Sequence, residues 1–231
     1  MLTANDLPTI RLADVWPPPP RTTMPGHFCT VEPIDPERHA AQLFASYLED
    51  GAGVMWAYAL RLPFASFEEV RSWAIAASQR TNQIVYAILG TTTGEAIGNA
   101  AFGPIDQNNG VIEISGVTYS PRLQRRSAGT EAMYLMMRRV FDELGYRRCQ
   151  WRTDSLNARS CSAALRFGFR QDGLFRQAQV IRGRNVDLAW FSVIDSEWPA
   201  LRAAFERWLD PANFDVQGQQ RQSLGSLRGD A

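Results

Sequence analysis

The segment Ser120-Pro-Arg-Leu-Gln-Arg-Arg-Ser-Ala-Gly-Thr-Glu-Ala132 decides how the fold of this chain is interpreted. It follows a strand-like stretch, residues 111–119, and leads into one apolar stripe of a long helix closed by Gly145. The stripe consists of Met133, Met136, Met137, Val140, Phe141 and Leu144. A strand that runs through small residues into a helix start presents unpaired backbone N–H groups and the positive end of the helix dipole. The segment therefore predicts a site for a phosphate-type anion.

Side chains around this helix start support the anion interpretation. Gln124, Arg125 and Arg126 add hydrogen-bond donors on the approach. Gly129 has no Cβ and would let an anion come close to the main chain. The same residues fit equally well a capped surface helix whose arginines face water, and the segment alone does not separate the two interpretations.

The composition is that of one globular domain and excludes disordered, collagen-like and disulfide-stapled chains. Of the 231 residues 45% are hydrophobic, and 24 basic side chains balance 24 acidic ones. All 24 basic residues are arginine. Fourteen of them lie between Arg122 and Arg184 against five acidic residues, so that this stretch carries +9 and the remainder −9. The asymmetry indicates either solvated helix faces or an anion site. A nucleic-acid partner is not expected, because the whole chain is neutral.

The cysteine count and the termini bear on the cellular compartment. Cys29, Cys149 and Cys161 are an odd number without metal-ligand spacing, and only two histidines accompany them, so no metal is expected. Free thiols fit a reducing cytosol. The first twenty residues lack a basic start and an apolar stretch, so no signal peptide is expected. No apolar run approaches the roughly 18 residues that a membrane span needs. We expect a cytoplasmic protein without a membrane partner.

The chain divides into three parts. Residues 1–25 contain Pro17–Pro20 and predict an extended N-terminal arm laid on the surface. Residues 26–209 form one domain without internal repeats. Residues 210–231 lose their large apolar side chains and predict a polar, flexible tail.

Within the domain, periodicity and turn residues predict a mixed α/β fold. The expected order is strand, two helices, three strands, helix, strand, helix, two strands, helix. The predicted strands are residues 27–34, 84–89, 96–102, 111–119, 149–153, 174–181 and 186–194. The predicted helices cover about residues 36–48, 66–79, 157–167 and 195–209, the second with a Ser66/Glu69 capping box. The long helix with the stripe from Met133 to Leu144, closed by Gly145, is the fifth.

A second segment, Asn157-Ala-Arg-Ser-Cys-Ser-Ala-Ala-Leu-Arg-Phe-Gly-Phe169, turns the interpretation towards an enzyme. A Gln/Arg-x-x-Gly-x-Gly/Ala loop paired with a downstream Asn-x-x-Ser helix that ends in Gly-Phe resembles the GNAT superfamily of acyl-CoA-dependent N-acetyltransferases. The resemblance covers residues 26–209. It implies a three-layer sandwich with helices on both sides of a central, mostly antiparallel twisted sheet.

Further motifs are similar to the ribosomal-protein-alanine acetyltransferase (RimJ/RimL-type) branch of that superfamily. They are Glu131-Ala132, the run from Phe141 to Arg148, Trp151, Arg159, Gly173 to Arg176, Asp187 and Glu197-Trp198-Pro199. We expect Asp187 and Glu197 to be mainly structural.

The resemblance assigns roles to the loop and to the two helix starts. The loop Gln124, Arg125, Arg126, Ser127, Ala128, Gly129 and Thr130 would cradle the pyrophosphate of coenzyme A. The strand before it would carry a bulge near residues 115–117. Through Val117 and Tyr119 its main chain would pair with the pantetheine arm and polarise the thioester carbonyl. Asn157 would hydrogen-bond the same arm, and Ser160 would lie near the sulfur.

Two residues depart from the superfamily pattern. Ser127 stands where the first loop glycine is usual, and Ala164 stands where many members have a tyrosine that protonates the departing thiolate. That role then falls to Ser160 or to water, although Ser160 also fits an ordinary first-turn hydroxyl.

Glu113, on the strand that leads into the bulge, is the candidate base for the acceptor amine. It fits an exposed sheet-face glutamate equally well. His27 and His39 lie far from the cofactor segment in sequence, and we expect them to be surface or core residues.

We interpret the chain as an acetyl-CoA-dependent N-acetyltransferase with direct transfer to a primary amine, either a protein N-terminus or a small molecule. Acceptor selectivity is expected from residues 56–67 and from the hairpin around Gly183, although their aromatic side chains also fit plain packing. The rival interpretation, kept open by Ser127 and Ala164, is a non-catalytic coenzyme A-binding regulatory or interaction module. The oligomeric state, monomer or homodimer, is left open.

Overall fold

One mixed sheet of eight strands organises the chain. The computed structural model describes residues 15–229. The strands are β1 (Met24–Pro25), β2 (Cys29–Pro33), β3 (Ile84–Gly90), β4 (Ala96–Asp106), β5 (Val111–Tyr119), β6 (Arg148–Asp154), β7 (Arg170–Ile181) and β8 (Arg184–Ile194). They lie in the order β1-β2-β3-β4-β5-β6-β8-β7, and every neighbouring pair is antiparallel except β5 and β6. The predicted mixed α/β fold with a mostly antiparallel sheet is confirmed.

The helices begin where the sequence supplies caps. They are α1 (Pro36–Leu48), α2 (Phe67–Ser78), α3 (Ser127–Arg138), α4 (Ala158–Arg166), α5 (Trp198–Leu209) and α6 (Leu224–Arg228). Asp35 caps α1, and Ser66 accepts from the N–H of Glu69 at the start of α2 while Glu69 reaches back to the N–H of Ala65. None of the helices within residues 15–229 has the length and the apolar content that crossing a bilayer requires.

Side chains of successive sheet residues enter two separate cores, one on each face. Tyr86 and Ile88 pack with α3, α4 and α5 in the larger core, while Val85 and Ala87 pack with α1 and α2 in the smaller one. This alternation is the period of two of a sheet buried on both sides. The result is the expected three-layer arrangement.

Several boundaries differ from the predicted ones. The helix predicted to reach Gly145 stays α-helical only to Arg138 and continues as a π-helical turn, Arg139–Glu143, before Gly145 takes a left-handed φ of 66°. Strand β4 runs on to Asp106, and β7 starts at Arg170, because bulges let both continue past the residues where their apolar pattern stops.

The segment after Asp210 is folded against the domain, in contrast to the predicted flexible tail. Leu224 is only 1% exposed and joins the larger core. The ring of Phe214 lies 5.1 Å from that of Trp208. The Asn213 amide donates to the carbonyls of Trp208 and Gln222. Few apolar side chains follow Asp210, but these few hold the segment against the domain because they cover an apolar surface of α5.

The described part of the arm, residues 15–25, is mostly exposed and is anchored to the domain by the buried side chains of Trp16 and Met24. The Trp16 indole donates to Gly145 O at 2.7 Å, and Trp16 and Met24 both belong to the larger core. The phenols of Tyr86 and Tyr146 donate to the carbonyls of Pro20 and Pro17. Residues 1–14 of the predicted arm lie outside the described residues.

Candidate active site

The two central strands β5 and β6 pair along only part of their length. They pair in parallel only from Val111 to Glu113, opposite Arg148 to Gln150. Beyond Glu113, β5 continues to Tyr119 without a partner on that side among the described residues, while β6 pairs with β8 as far as Asp154. The sheet therefore opens into a V, and the main chain of β5 forms one wall of it.

A bulge shapes this wall of the V. Ser115 pairs with Ala101 and Thr118 with Asn99, so three steps along β5 face two along β4. Gly116 takes a left-handed φ of 57° at the extra residue. The Asn99 amide donates to Gly116 O at 2.7 Å, and Asn99 Oδ1 accepts from the Tyr47 hydroxyl at 2.5 Å. The predicted bulge near residues 115–117 is confirmed, and it turns the β5 main chain towards the opening.

The loop after β5 brings the start of α3 to the open end of the V. Leu123 N and Gln124 N both donate to Ser120 O, and the Gln124 side chain donates to Tyr119 O at 2.8 Å. Arg125 takes a left-handed φ of 58° before Arg126 begins the helix. No side chain caps this helix start. Gly129 N donates to Arg126 O, and the first two N–H groups, of Ser127 and Ala128, are available to an anion.

The two small residues of this loop have different reasons for being small. Ser127 is the first helical residue, so its backbone needs no glycine. Gly129 is buried against β5: a Cβ there would lie 2.9 Å from Tyr119 Cε2 and 3.0 Å from Leu123 O. The Tyr119 hydroxyl also donates to Gly129 O at 2.9 Å. The missing Cβ of Gly129 thus makes room for the Tyr119 ring and for Leu123 O, and the expectation that it also lets an anion approach stays a prediction.

The arginines of this region differ in their partners. Arg125 and Arg126 are exposed, and neither forms an ion pair with a described residue. Arg122, two positions before Gln124, pairs with Glu49 and Glu95 instead. Arg166 of α4 donates to Thr130 Oγ1 at 2.9 Å and links the two helices. Arg125 and Arg126 are thus the cations that remain available beside the α3 start.

Asn157 and Ser160 lie at the start of α4, directly after β6 and so at the other arm of the V. Asn157 caps the helix through Oδ1, which accepts from Ser160 N at 3.1 Å, and its amide nitrogen has no described acceptor. Ser160 Oγ accepts from the Trp151 indole at 3.0 Å. Since that oxygen is used as an acceptor, its own O–H can donate into the opening. Ala164 is buried in the larger core and carries no group that could donate a proton.

Glu113 occupies the apex of the V, at the last residue that pairs with β6. It is only 4% exposed, which excludes the exposed-glutamate alternative. The Arg152 Nε donates to Glu113 Oε2 at 2.6 Å, and Gln150 lies at 3.4 Å from the same oxygen. Burial raises the pKa of Glu113, and the Arg152 guanidinium opposes this rise. A carboxylate with a raised pKa accepts a proton more readily than an ordinary one.

The residues around Glu113 share one face of the sheet. Ile112 and Ile114 point into the larger core, so Glu113 points to the face of α1 and α2, and the same alternation puts Arg152 there. The Arg152 guanidinium lies 4.9 Å from the Trp190 ring. Sequence reasoning missed Asn99 and Arg152, although a polar residue within the small apolar run of β4 and the alternation Arg148, Gln150, Arg152 were detectable signals.

The histidines and cysteines do not join this site. His39 is buried on α1, accepts from Asp35 N, and has its pKa lowered by burial. The side chain of His27 is exposed, and its backbone N–H donates to Glu131 Oε1. Burial raises the pKa of the thiols of Cys29, Cys149 and Cys161, which disfavours the thiolate form. Within residues 15–229 no three potential metal ligands lie together.

The two segments expected to select the acceptor are in direct contact. Arg182, in the turn between β7 and β8, donates through Nη2 to the carbonyls of Trp56, Ala57 and Ala59 at 2.8 to 3.1 Å. The rings of Trp56 and Phe64 are buried against Tyr47, in agreement with the alternative that these aromatic side chains serve packing. Leu60, in contrast, is 75% exposed. The hairpin and the α1–α2 loop together border the face on which Glu113 lies.

The chain is similar to a known protein family and to several individual proteins. Residues 29–170 match the acetyltransferase (GNAT) domain family. A GCN5-related N-acetyltransferase from Brucella melitensis, known from its crystal structure, is 40% identical, with a TM-score of 0.93 over 95% of this chain and 100% of that chain. The uncharacterized N-acetyltransferase p20 from Bacillus licheniformis is 27% identical over 113 residues. That match spans 49% of this chain and 63% of the p20 protein, just under two thirds of it.

The RimJ/RimL-type branch stays a prediction. The acetyl transferase from Salmonella typhimurium that modifies the N-terminal serine of the 50S ribosomal subunit protein L7/L12 is 21% identical, with a TM-score of 0.64. The match covers 74% of this chain and 98% of that one. At this identity the likeness shows the fold alone.

Proposed function

Because the chain belongs to the GNAT acetyltransferases, we propose that it transfers an acetyl group from acetyl-CoA directly to a primary amine. The observation that carries the proposal is the V between β5 and β6, with an uncapped α3 start on one arm and Asn157 and Ser160 on the other. One opening thus offers unpaired strand edge, free helix N–H groups and two side-chain donors.

The chain's own groups match the parts of coenzyme A in order. The first N–H groups of α3, with Arg125 and Arg126 beside them, suit the pyrophosphate. The unpaired main chain around Val117 and Tyr119 suits the amides of pantetheine, as does the free amide nitrogen of Asn157. Acetyl-CoA would supply the activated acetyl group as a thioester.

Glu113 and Ser160 are assigned the two proton transfers. Glu113 receives the proton of the acceptor amine, since its carboxylate is buried at the apex with a raised pKa. Ser160 donates a proton on the leaving-group side, since the Trp151 indole occupies its acceptor position and leaves its O–H free. Burial supports the role of Glu113 and a hydrogen bond supports that of Ser160, and each role can be removed by one substitution.

The acceptor, the branch and the location are part of the same proposal. A protein N-terminal amine fits the RimJ/RimL-type resemblance, and a small amine fits the same chemistry. The described cysteines form no disulfide, which supports a cytoplasmic location.

The experiment is release of free coenzyme A from acetyl-CoA, followed with a thiol reagent, across a panel of amines and short peptides. Calorimetry measures coenzyme A affinity in parallel. We expect micromolar-range binding together with amine-dependent thiol release. Binding without turnover on any acceptor would instead favour the non-catalytic coenzyme A-binding module, and absence of binding would refute both.

A further inference from the structure

Arg61 lies in the loop between α1 and α2 and is held in place by aromatic rings. Its guanidinium carbon lies 3.3 Å from the centroid of the Phe64 ring and 6.0 Å from that of Trp73. Contacts of this kind orient the planar guanidinium group and leave its edge free for a bidentate partner. Arg61 is therefore positioned without the help of a carboxylate.

The charge of Arg61 has no ion-pair partner within residues 15–229. Other arginines of this layer do: Arg38 pairs with Glu32, Arg71 with Glu37, and Arg122 with Glu49 and Glu95. Glu69 favours the charge of Arg61 from a distance, but its carboxylate binds Ala65 N.

The Nε of Arg61 is also buried, and no described group accepts from it. Burial lowers the pKa of Arg61. A partly desolvated cation with an unused donor is unfavourable unless another group compensates it.

Arg61 lies on the same side of the sheet as the candidate base. The Phe64 ring that contacts Arg61 is stacked on the Tyr47 ring, with the two centroids 6.3 Å apart. Tyr47 in turn binds Asn99, and Asn99 binds the bulge carbonyl of Gly116. Phe64, Tyr47 and Asn99 thus connect Arg61 with the bulge, on the face to which Glu113 also points.

We propose that Arg61 binds an anionic group, a carboxylate or a phosphate, on the amine acceptor. The inference rests on the proposed acetyl transfer and narrows its acceptor to amines that also carry a negative group. A guanidinium without an ion-pair partner on this face would stabilise such an acceptor and would leave neutral amines without that contact.

The test compares pairs of acceptors that differ in one anionic group. Suitable pairs are β-alanine with propylamine, 5-aminovalerate with pentylamine, 2-aminoethyl phosphate with ethylamine, and the amidated dipeptides Ala-Glu and Ala-Gln. For each pair, the ratio of kcat/KM between the anionic and the neutral member is measured in the wild type, in Arg61→Met and in Arg61→Lys. Arg71→Met is the matched control, because it removes an arginine of the same layer that Glu37 already pairs.

We expect at least one pair to favour the anionic member about tenfold or more, as for charged hydrogen bonds in partly buried sites. Arg61→Met should reduce that ratio to within about threefold of unity, Arg61→Lys should retain part of it, and Arg71→Met should retain all of it. Comparing the ratio of one pair between the wild type and each variant removes the difference in intrinsic reactivity between the two amines. The absence of any anionic preference, or a preference that survives in Arg61→Met, would overturn the proposal.

Failure of the proposed function would look different. If coenzyme A binds but no amine is acetylated, calorimetric titration of the enzyme–coenzyme A complex with the same amines decides the matter: equal affinities in the wild type and Arg61→Met overturn the anion site. If coenzyme A does not bind, the same titration of the free protein decides. An unchanged circular dichroism spectrum and melting temperature in Arg61→Met separate the loss of the site from the loss of the fold.

Discussion

Replacement of Glu113 by glutamine tests the assigned base with little change of shape. The glutamine can still accept from Arg152 Nε, which in the wild type donates at 2.6 Å. Arg152 would lose a charged partner, but its side chain is 26% exposed and packs on Trp190, so we expect a stability loss of about 1–2 kcal/mol. A fully buried broken pair would cost about 3–5 kcal/mol. Turnover should fall about 10²-fold while coenzyme A affinity stays within about twofold.

The pH dependence gives a second measure of the same role. A carboxylate acts as a base only when it is ionised, so wild-type kcat/KM should rise with pH through the raised pKa of Glu113. Glu113→Gln should lose this limb and keep only the slower rise that comes from free amine. Arg152→Met removes the guanidinium that lowers the Glu113 pKa, so the limb should move to higher pH.

The assay is the pH profile of thiol release on a confirmed acceptor, with chemistry shown to limit the rate. Ser160→Ala is the control, since it should lower the rate without moving the Glu113 limb. If Glu113→Gln keeps wild-type turnover and an unchanged profile, Glu113 is not the base, and deprotonation falls to water at the bulge.

Three further outcomes are expected. The double variant Arg125→Ala/Arg126→Ala should weaken coenzyme A binding about tenfold or more in a salt-sensitive way, yet leave pantetheine binding unchanged in calorimetry; equal losses for both ligands would move these arginines away from the phosphates. Arg182→Met removes three hydrogen bonds between the hairpin and the α1–α2 loop and should raise the acceptor KM several-fold with little effect on coenzyme A affinity; an unchanged KM would separate this contact from acceptor binding. Leu224→Ala should cost about 2–3 kcal/mol in denaturant unfolding because Leu224 is 1% exposed, and a loss below about 0.5 kcal/mol would show that the segment after Asp210 is not part of the folded unit.

Local signals predicted much of the fold and part of the site. The capping residues Ser66 and Asn157 bind backbone groups a few positions away, and the composition of residues 111–119 is itself a local signal. Each of these signals could therefore be recognised without knowledge of the rest of the chain. Contacts between distant segments could not. Arg182 reaches a loop more than 120 positions earlier, and nothing in the turn around Gly183 indicates that partner.

A glycine that makes room for a side chain and a segment with few apolar residues are both hard to interpret from sequence. A glycine that admits a ligand and one that makes room for a ring look alike in sequence, so the contact between Gly129 and the Tyr119 ring could not be predicted. Phe214 and Leu224 are too few to form a periodic pattern, yet each covers a surface left by α5. In both cases the deciding neighbour lies elsewhere in the chain.

The short parallel pairing at Val111–Glu113 makes the sheet two plates joined along a narrow seam. One plate carries β1 to β5 and the other β6 to β8, and few hydrogen bonds cross between them at the open end. A ligand lying in the gap would take the place of a missing strand and brace both plates at once. Among residues 114–119, the amide protons that point into the gap and not towards β4 should therefore exchange faster than those of β3 in the free protein, and they should slow the most when the gap is filled.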